Sequence, residues 1–481
     1  MTTEKTTQVG RLAFLTDDDK KRIYEAALHI LAAIGMRVLH EEGRELLLAG
    51  GCTLDSDGLV HVPGEAVARA RATAPAAIPV FDRAGEPAFS LEGYETTFGT
   101  GSDLMHLYDL ETGERRRTTL ADVLTCARLC DALDDIDFVM SSAYPHEVQS
   151  HRAYLEEFRA MMTGTTKPLV MTAEGRADLE CMWAAAGELR GDPDGLRSRP
   201  YFIVYDQPSS PLEHPADSVD KLLFCADAGL PVIYSPAPLA GGTAPITVAG
   251  HVAQGLAESL LGLVLHQLRT PGAPFITGMG PAVLDMATTQ SSYNAPEYLQ
   301  SYACFVEMAK WLDLPNWGYA GTTDAQLVDA QAGMEVAELT LLSMLLGSNL
   351  NHDVGYMDFG MTGSLEQIVI TDEFIAMNRR LLGGVEVSDD TLALDVIAAM
   401  GPGGDALGQK HTVKHLRSGQ WRPRILNRKG HERWVEEGAP DLREAARRRA
   451  LDLLATHEAP PLDDDVRRRV DRIVEEFRPD A

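Results

Sequence analysis

Cysteine is scarce in this 481-residue chain and never closely paired: Cys52, Cys126, Cys130, Cys181, Cys225 and Cys304 include no C-x-x-C. A disulfide framework is thereby excluded as the organising device, and a reducing cytosol is the expected setting. Long apolar runs are also missing. The greasiest stretch, 252–265, is short and contains Glu258, and the opening Met-Thr-Thr-Glu-Lys-Thr-Thr-Gln holds no apolar signal core. A cytoplasmic protein without a membrane span is expected. Basic residues are outnumbered, 43 against 71 acidic ones, for a formal charge of −28. Such a surface repels phosphate backbones and anionic lipids, which argues against nucleic acid or membrane as partner. The Arg-rich exception at 417–449 is interleaved with Glu432, Glu436, Glu437, Asp441 and Glu444, as in a solvated or interdomain face.

Several catalytic signatures are absent too. No G-x-G-x-x-G opens a helix after an early strand, and there is no G-x-S-x-G, no H-E-x-x-H and no His-x-Cys with a distant Cys. Dinucleotide binding, a hydrolase elbow and the usual catalytic zinc sites lose their sequence support. His411 and His415 are four apart, but Lys414 rather than a catalytic Glu lies between them, so no metal site is expected there.

What is present is a regular alternation. Short apolar runs near 96–101, 137–143, 168–172, 201–205, 231–235, 274–278, 316–319 and 349–354 alternate with helix-length segments such as 120–133, opened by Thr119 and Asp122, and 250–267. Eight strand–helix pairs predict an α/β fold, a closed (β/α)8 TIM barrel over 94–383. A doubly wound open sheet competes, but lacks its Gly-rich turn. Residues 1–93 predict an N-terminal extension of helices and a hairpin at Asp55-Ser56-Asp57-Gly58, and 384–481 a helical C-terminal extension. A further hairpin, turning at Glu111-Thr112-Gly113, is expected after the first strand.

Barrel chemistry gathers where strands end. Those ends carry Thr100, Ser102 and Asp103, then Tyr144, Glu174, Ser210 and finally His352 and Tyr356, with Tyr293 in a later loop. Gly, Pro, hydroxyls and tyrosines dominate and Lys and Arg are few, so a neutral or cationic small molecule fits better than a phosphate. Tyrosines such as Tyr144, Tyr293 and Tyr356, with Asp103 or Glu174, could surround a quaternary ammonium, although most tyrosines are simply amphipathic packing residues. A rival reading uses Glu174, Asp206 and Glu297 as acid and base of a hydrolase or lyase.

The segments Phe98-Gly-Thr-Gly-Ser-Asp103, Asp109-Leu-Glu-Thr-Gly-Glu114, Gly241-Gly-Thr-Ala-Pro245, Asp329-Ala-Gln-Ala-Gly333 and His352-Asp-Val-Gly-Tyr356 follow one another in an order that resembles the trimethylamine methyltransferase family. Leu365-Glu-Gln367 and 403–424, with His411 and Trp421, extend the likeness. The resemblance implies a barrel that passes a methyl group from a methylated amine to the cobalt of a separate corrinoid protein. Members specific for trimethylamine carry pyrrolysine, whereas this chain is written in standard residues. That departure turns the expectation to a glycine betaine-like quaternary amine, with His352 implied in the site. Without an Asp-x-His-x-x-Gly motif the cobalamin is expected on a partner protein, not on this chain, and a homo-oligomer is expected. A non-catalytic betaine-binding descendant is the remaining alternative.

Overall fold

The structure, a computed structural model, describes residues 10–191 and 193–478. Parallel strands stand at Thr97–Phe98, around Phe138 and Val139, and at Leu169–Met171, Phe202–Asp206, Val232–Tyr234, Phe275–Thr277, Trp317–Tyr319 and Leu350–His352. The third to sixth pair in chain order, the seventh pairs with the eighth, and the eighth pairs with the first. Parallel bridges from Gly99 to Phe138, Val139 to Leu169 and Thr277 to Asn316 supply the three remaining joins. The pairing order returns to its starting strand, so the ring is a closed (β/α)8 barrel. A helix follows every strand, from Leu120–Ala132 to Leu365–Leu382. Local chemistry starts them: Thr119 and Asp122 form a capping box, and Asp329 accepts from the amides of Gln331 and Ala332.

Side chains alternate across each strand. Phe138, Val170, Ile203, Ile233, Ile276, Trp317 and Leu350 fill the barrel, while Val139, Leu169, Val204, Val232 and Phe275 face the helices. The first strand puts Gly99 inward. A Cβ there would come within 2.5 Å of the Phe138 ring. A hairpin of Ala77–Phe81 and Pro87–Glu92, absent from the sequence expectation, adds Ile78, Val80 and Leu91 to the same core. Because it immediately precedes the first strand, it stoppers the N-terminal end of the barrel.

The opposite end is roofed by the expected hairpin, His106–Tyr108 with Arg115–Arg117, and by an unforeseen pair, Tyr356–Met357 with Thr362–Ser364. The four strands form one sheet linking the connections after the first and eighth barrel strands. The N-terminal helices Asp17–His29, Glu41–Ala49 and Gly64–Thr73 pack on Val248–Arg269. That helix is long and apolar enough to cross a membrane, yet 83% of its most apolar window is buried inside the fold. An all-round apolar helix is what a position between two protein layers requires.

At the C-terminus, Leu442–Thr456 packs against the first and last barrel helices, and Asp464–Glu476 against the second and third. Between these and the barrel, Asp389–Leu392, Leu394–Met400, Lys410–His415 and His431–Glu436 bury no residue. The Arg-rich stretch is not solely a solvated face: Arg424 pairs with Asp372 and, at 2.8 Å, with Asp135. Burial pushes the Asp372 acid up to about 6 and Arg424 opposes that rise. A carboxyl raised in the fold binds more protons there than in the unfolded chain, so its contribution to stability declines as pH climbs through that window. Arg424→Ala is expected to cost about 2 kcal/mol, a partly exposed guanidinium giving less than a fully buried pair. Thermal melts should show a larger deficit at about pH 8 than at about pH 5; an equal deficit would mean that Asp372 is not the group left behind.

Candidate functional site

The inward positions one step above the barrel core form the floor of a cavity of about 280 Å³. By the same alternation that sets Phe138, Ile203, Trp317 and Leu350 inside, the next inward residues are Met140, Tyr205, Tyr319 and His352, and all four line it. The corresponding positions on the other four strands are smaller: Gly101, Thr172, Ser235 and Gly278. A Cβ at Gly278 would lie 2.5 Å from that of Ser235, and one at Gly101 would lie 2.4 Å from the Tyr356 ring and 2.5 Å from Asp353. Bulk on one side and its absence on the other make the void. Tyr293, Tyr298 and Tyr356 complete an aromatic wall, with Ser102, Asp103 and Asp353 beside them.

His352 is the best-defined group. Its ring stacks on Trp317 with centroids 4.0 Å apart and lies 4.6 Å from Tyr319. Nδ1 is 2.8 Å from the Gly318 carbonyl, which only accepts, so Nδ1 carries a proton. Nε2 faces an Asp353 carboxyl oxygen at 3.1 Å. Burial drives the imidazole down to about 3 and the Asp353 carboxyl well above its usual range. Both shifts point to a neutral pair in which Asp353 donates to Nε2.

Asp103 sits on the neighbouring strand end, accepts from Ser102 Oγ at 2.6 Å, and is raised by burial against the lowering effect of Ser102 and Tyr154. Behind it Glu157 is wholly buried, neither of its oxygens has a hydrogen-bond partner, and burial, with Asp103 nearby, pushes its acid well above the usual carboxylate range. Asp103 and Asp353 both adopt left-handed backbones, φ 64° and 74°. Such conformations cost roughly 1 kcal/mol or more each and gather at functional sites.

Of the residues singled out from sequence, His352, Ser102, Asp103, Tyr293 and Tyr356 meet in this cavity. The other four lie outside its lining. Thr100, on the outward parity between Gly99 and Gly101, ties the first strand to Met140 through its hydroxyl. Tyr144 packs edge-on against Tyr154, Glu174 is exposed, and Ser210 donates to Glu258 on the fifth barrel helix. None of the rival acid–base set lines the cavity either. Asp206 pairs with Lys221 at 3.1 Å, and Glu174 and Glu297 are exposed. Sequence reasoning passed over Tyr205, Tyr298, Tyr319 and Asp353 as lining residues; the inward parity of the first and third was the available signal.

Among the described residues one group brings three possible metal ligands together: Asp390, His411 and His415, within 4.8 Å of one another on the C-terminal segment. Lys414 Nζ already lies 2.7 Å from both Asp390 carboxylate oxygens, so an ion would have to displace an ammonium.

Gly101→Ala tests whether the void depends on the missing side chain. The fold should survive by circular dichroism, while binding of tetramethylammonium drops at least tenfold as Tyr356 and Asp353 are pushed aside. Unchanged binding would show that the cation does not sit between them.

The family model Trimethylamine methyltransferase (MTTB) matches residues 2–478. A trimethylamine methyltransferase of Desulfitobacterium hafniense is 29% identical over 466 residues, covering 97% of this chain and 94% of its own. A glycine betaine methyltransferase of the same species is 28% identical over 454 residues, covering 94% of each. Among solved structures, the monomethylamine methyltransferase of Methanosarcina barkeri aligns over 94% of this chain and 99% of its own, at 14% identity and a TM-score of 0.49. With a match spanning nearly every residue, the chain belongs to the trimethylamine methyltransferase family.

Proposed function

We propose that this methyltransferase binds a quaternary amine in the barrel mouth and presents one methyl group to the Co(I) corrinoid of a separate protein. The observation that carries the reading is the lining: five tyrosines and two acids, Asp353 buried and Asp103 at the rim, with no lysine or arginine among the described residues. Tyrosine faces attract a cation by about 0.5–2 kcal/mol each, most where water is excluded. Asp103 and Asp353 supply opposite charge once ionised. A Co(I) corrinoid on the partner would supply the two-electron nucleophile for the methyl group, the C–N bonding pair returning to nitrogen. A quaternary nitrogen leaves as a neutral amine, so this chain needs no proton donor for departure. Its task is to hold and desolvate the cation and to orient one carbon toward the opening.

The glycine betaine methyltransferase relative supports a fully alkylated nitrogen as in glycine betaine. Self-association belongs to the same reading: Val385, Val387, Leu394, Leu407 and Val413 expose apolar side chains on one segment, a surface that further copies of the chain would cover. A purely monomeric sedimentation profile would remove that element.

Mixing the protein and a corrinoid protein in the Co(I) state with a panel of methylated amines should consume the Co(I) absorbance. Binding without consumption for every amine, on an intact fold, would leave a non-catalytic amine-binding protein instead. His352→Ala should abolish turnover and leave far-UV circular dichroism unchanged; wild-type turnover would make that ring a packing residue.

A pH effect follows from the raised acids. Burial pushes the Asp103 acid above its usual range and the Asp353 acid well above it, and a bound cation favours their ionised form. Binding therefore expels a proton. Tetramethylammonium affinity should rise with pH by up to about tenfold per unit until the empty-cavity acids ionise unaided, and Asp353→Asn should flatten the slope. A slope of opposite sign would rule out these carboxyls as the counter-charge.

A further inference from the structure

We propose that the arm of the substrate nitrogen that is not methyl ends in a neutral hydrogen-bonding group, such as a hydroxyl, rather than in a carboxylate. The inference rests on the quaternary-amine reading and concerns the other end of the molecule.

An anionic tail in a water-poor cavity needs a cation or a set of donors aimed at it. The lining provides no lysine or arginine among the described residues, and its fixed acids are Asp103 and Asp353. Once a bound ammonium head has drawn these acids into their ionised form, a carboxylate held in the same cavity meets like charge. His352 cannot serve as a cation: Nδ1 is committed to Gly318, Nε2 to Asp353, and burial keeps the ring neutral. Glu157, with no partner behind Asp103, adds a further acid on the same side.

A neutral tail meets a different situation. Tyr298 rises from the first turn of the helix Pro296–Trp311, lines the cavity, and has a wholly buried hydroxyl with no hydrogen-bond partner. A buried hydroxyl left unpaired costs free energy that a ligand oxygen can recover. Three of the other four lining tyrosines are engaged: Tyr319 donates to the Met279 carbonyl, Tyr356 to Ser102, and Tyr205 to Gln207. Tyr298 is thus a donor held ready for an oxygen, and an alcohol oxygen can accept from it and donate onward to an acid.

Choline and glycine betaine share the trimethylammonium head and differ in this tail alone, and tetramethylammonium has none. Calorimetric titration of the full-length protein should give choline at least tenfold tighter binding than glycine betaine, a difference of about 1.4 kcal/mol. Tyr298→Phe should shrink that advantage while leaving tetramethylammonium binding unchanged. Glycine betaine binding as tightly as choline would overturn the tail assignment and leave the quaternary-amine reading standing. Undiminished discrimination in Tyr298→Phe would overturn the role of the hydroxyl. Failure of all three cations to bind would overturn the underlying reading itself.

Discussion

Two successive inward positions on each barrel strand govern this molecule. The lower position is apolar on seven strands and glycine on the first, and it fills the barrel from Phe138 round to Leu350. The upper position is divided between large aromatic or thioether groups and smaller ones, from glycine to threonine, so a densely packed core passes directly into a void. Because strand side chains alternate strictly, neither layer can shift without the other. The stacking of Trp317, in the lower layer, on His352, in the upper, is where the two are joined most closely.

The electrostatic character of the site follows from that joint. A histidine pressed between aromatic rings and bonded to a carbonyl has little reason to charge, and its neutrality removes the one partner that would ionise Asp353. The cavity is accordingly lined by tyrosines and by acids whose ionisation is held back. On the proposed reading a cationic guest changes this, converting carboxyls from a liability into counter-charges. The left-handed backbones at Asp103 and Asp353 are the conformational cost of pointing both acids at one spot.

Much of this architecture was legible in the residues. Seven of the eight barrel strands are short runs with Gly, Pro or Asn at a boundary, the second being set off by Asp137 and Ser141 instead, and periodicity reads such segments well. The hairpin 77–92 was not, because Pro79, Pro87 and a run of alanines obscure a strand signal that exists only against the barrel core. The roof strands at 356–364 escaped for a related reason: Gly355 and Gly360 read as loop, and their partner strand lies some 250 residues earlier in the chain. For the site, strand ends could be read but facing could not always. Thr100 and His352 both close barrel strands, yet one looks outward and the other into the void, a difference of one residue in register that sequence alone does not fix. Tyr298 comes from a helix and is brought in by tertiary packing, which no local pattern announces.

The hairpin at the base of the barrel has a consequence for traffic. With that end corked by Ile78, Val80 and Leu91, the described residues leave the cavity open toward the opposite end, so whatever enters it and whatever leaves it share one threshold. That sharing is written into the architecture by a strand pair that lines no part of the cavity.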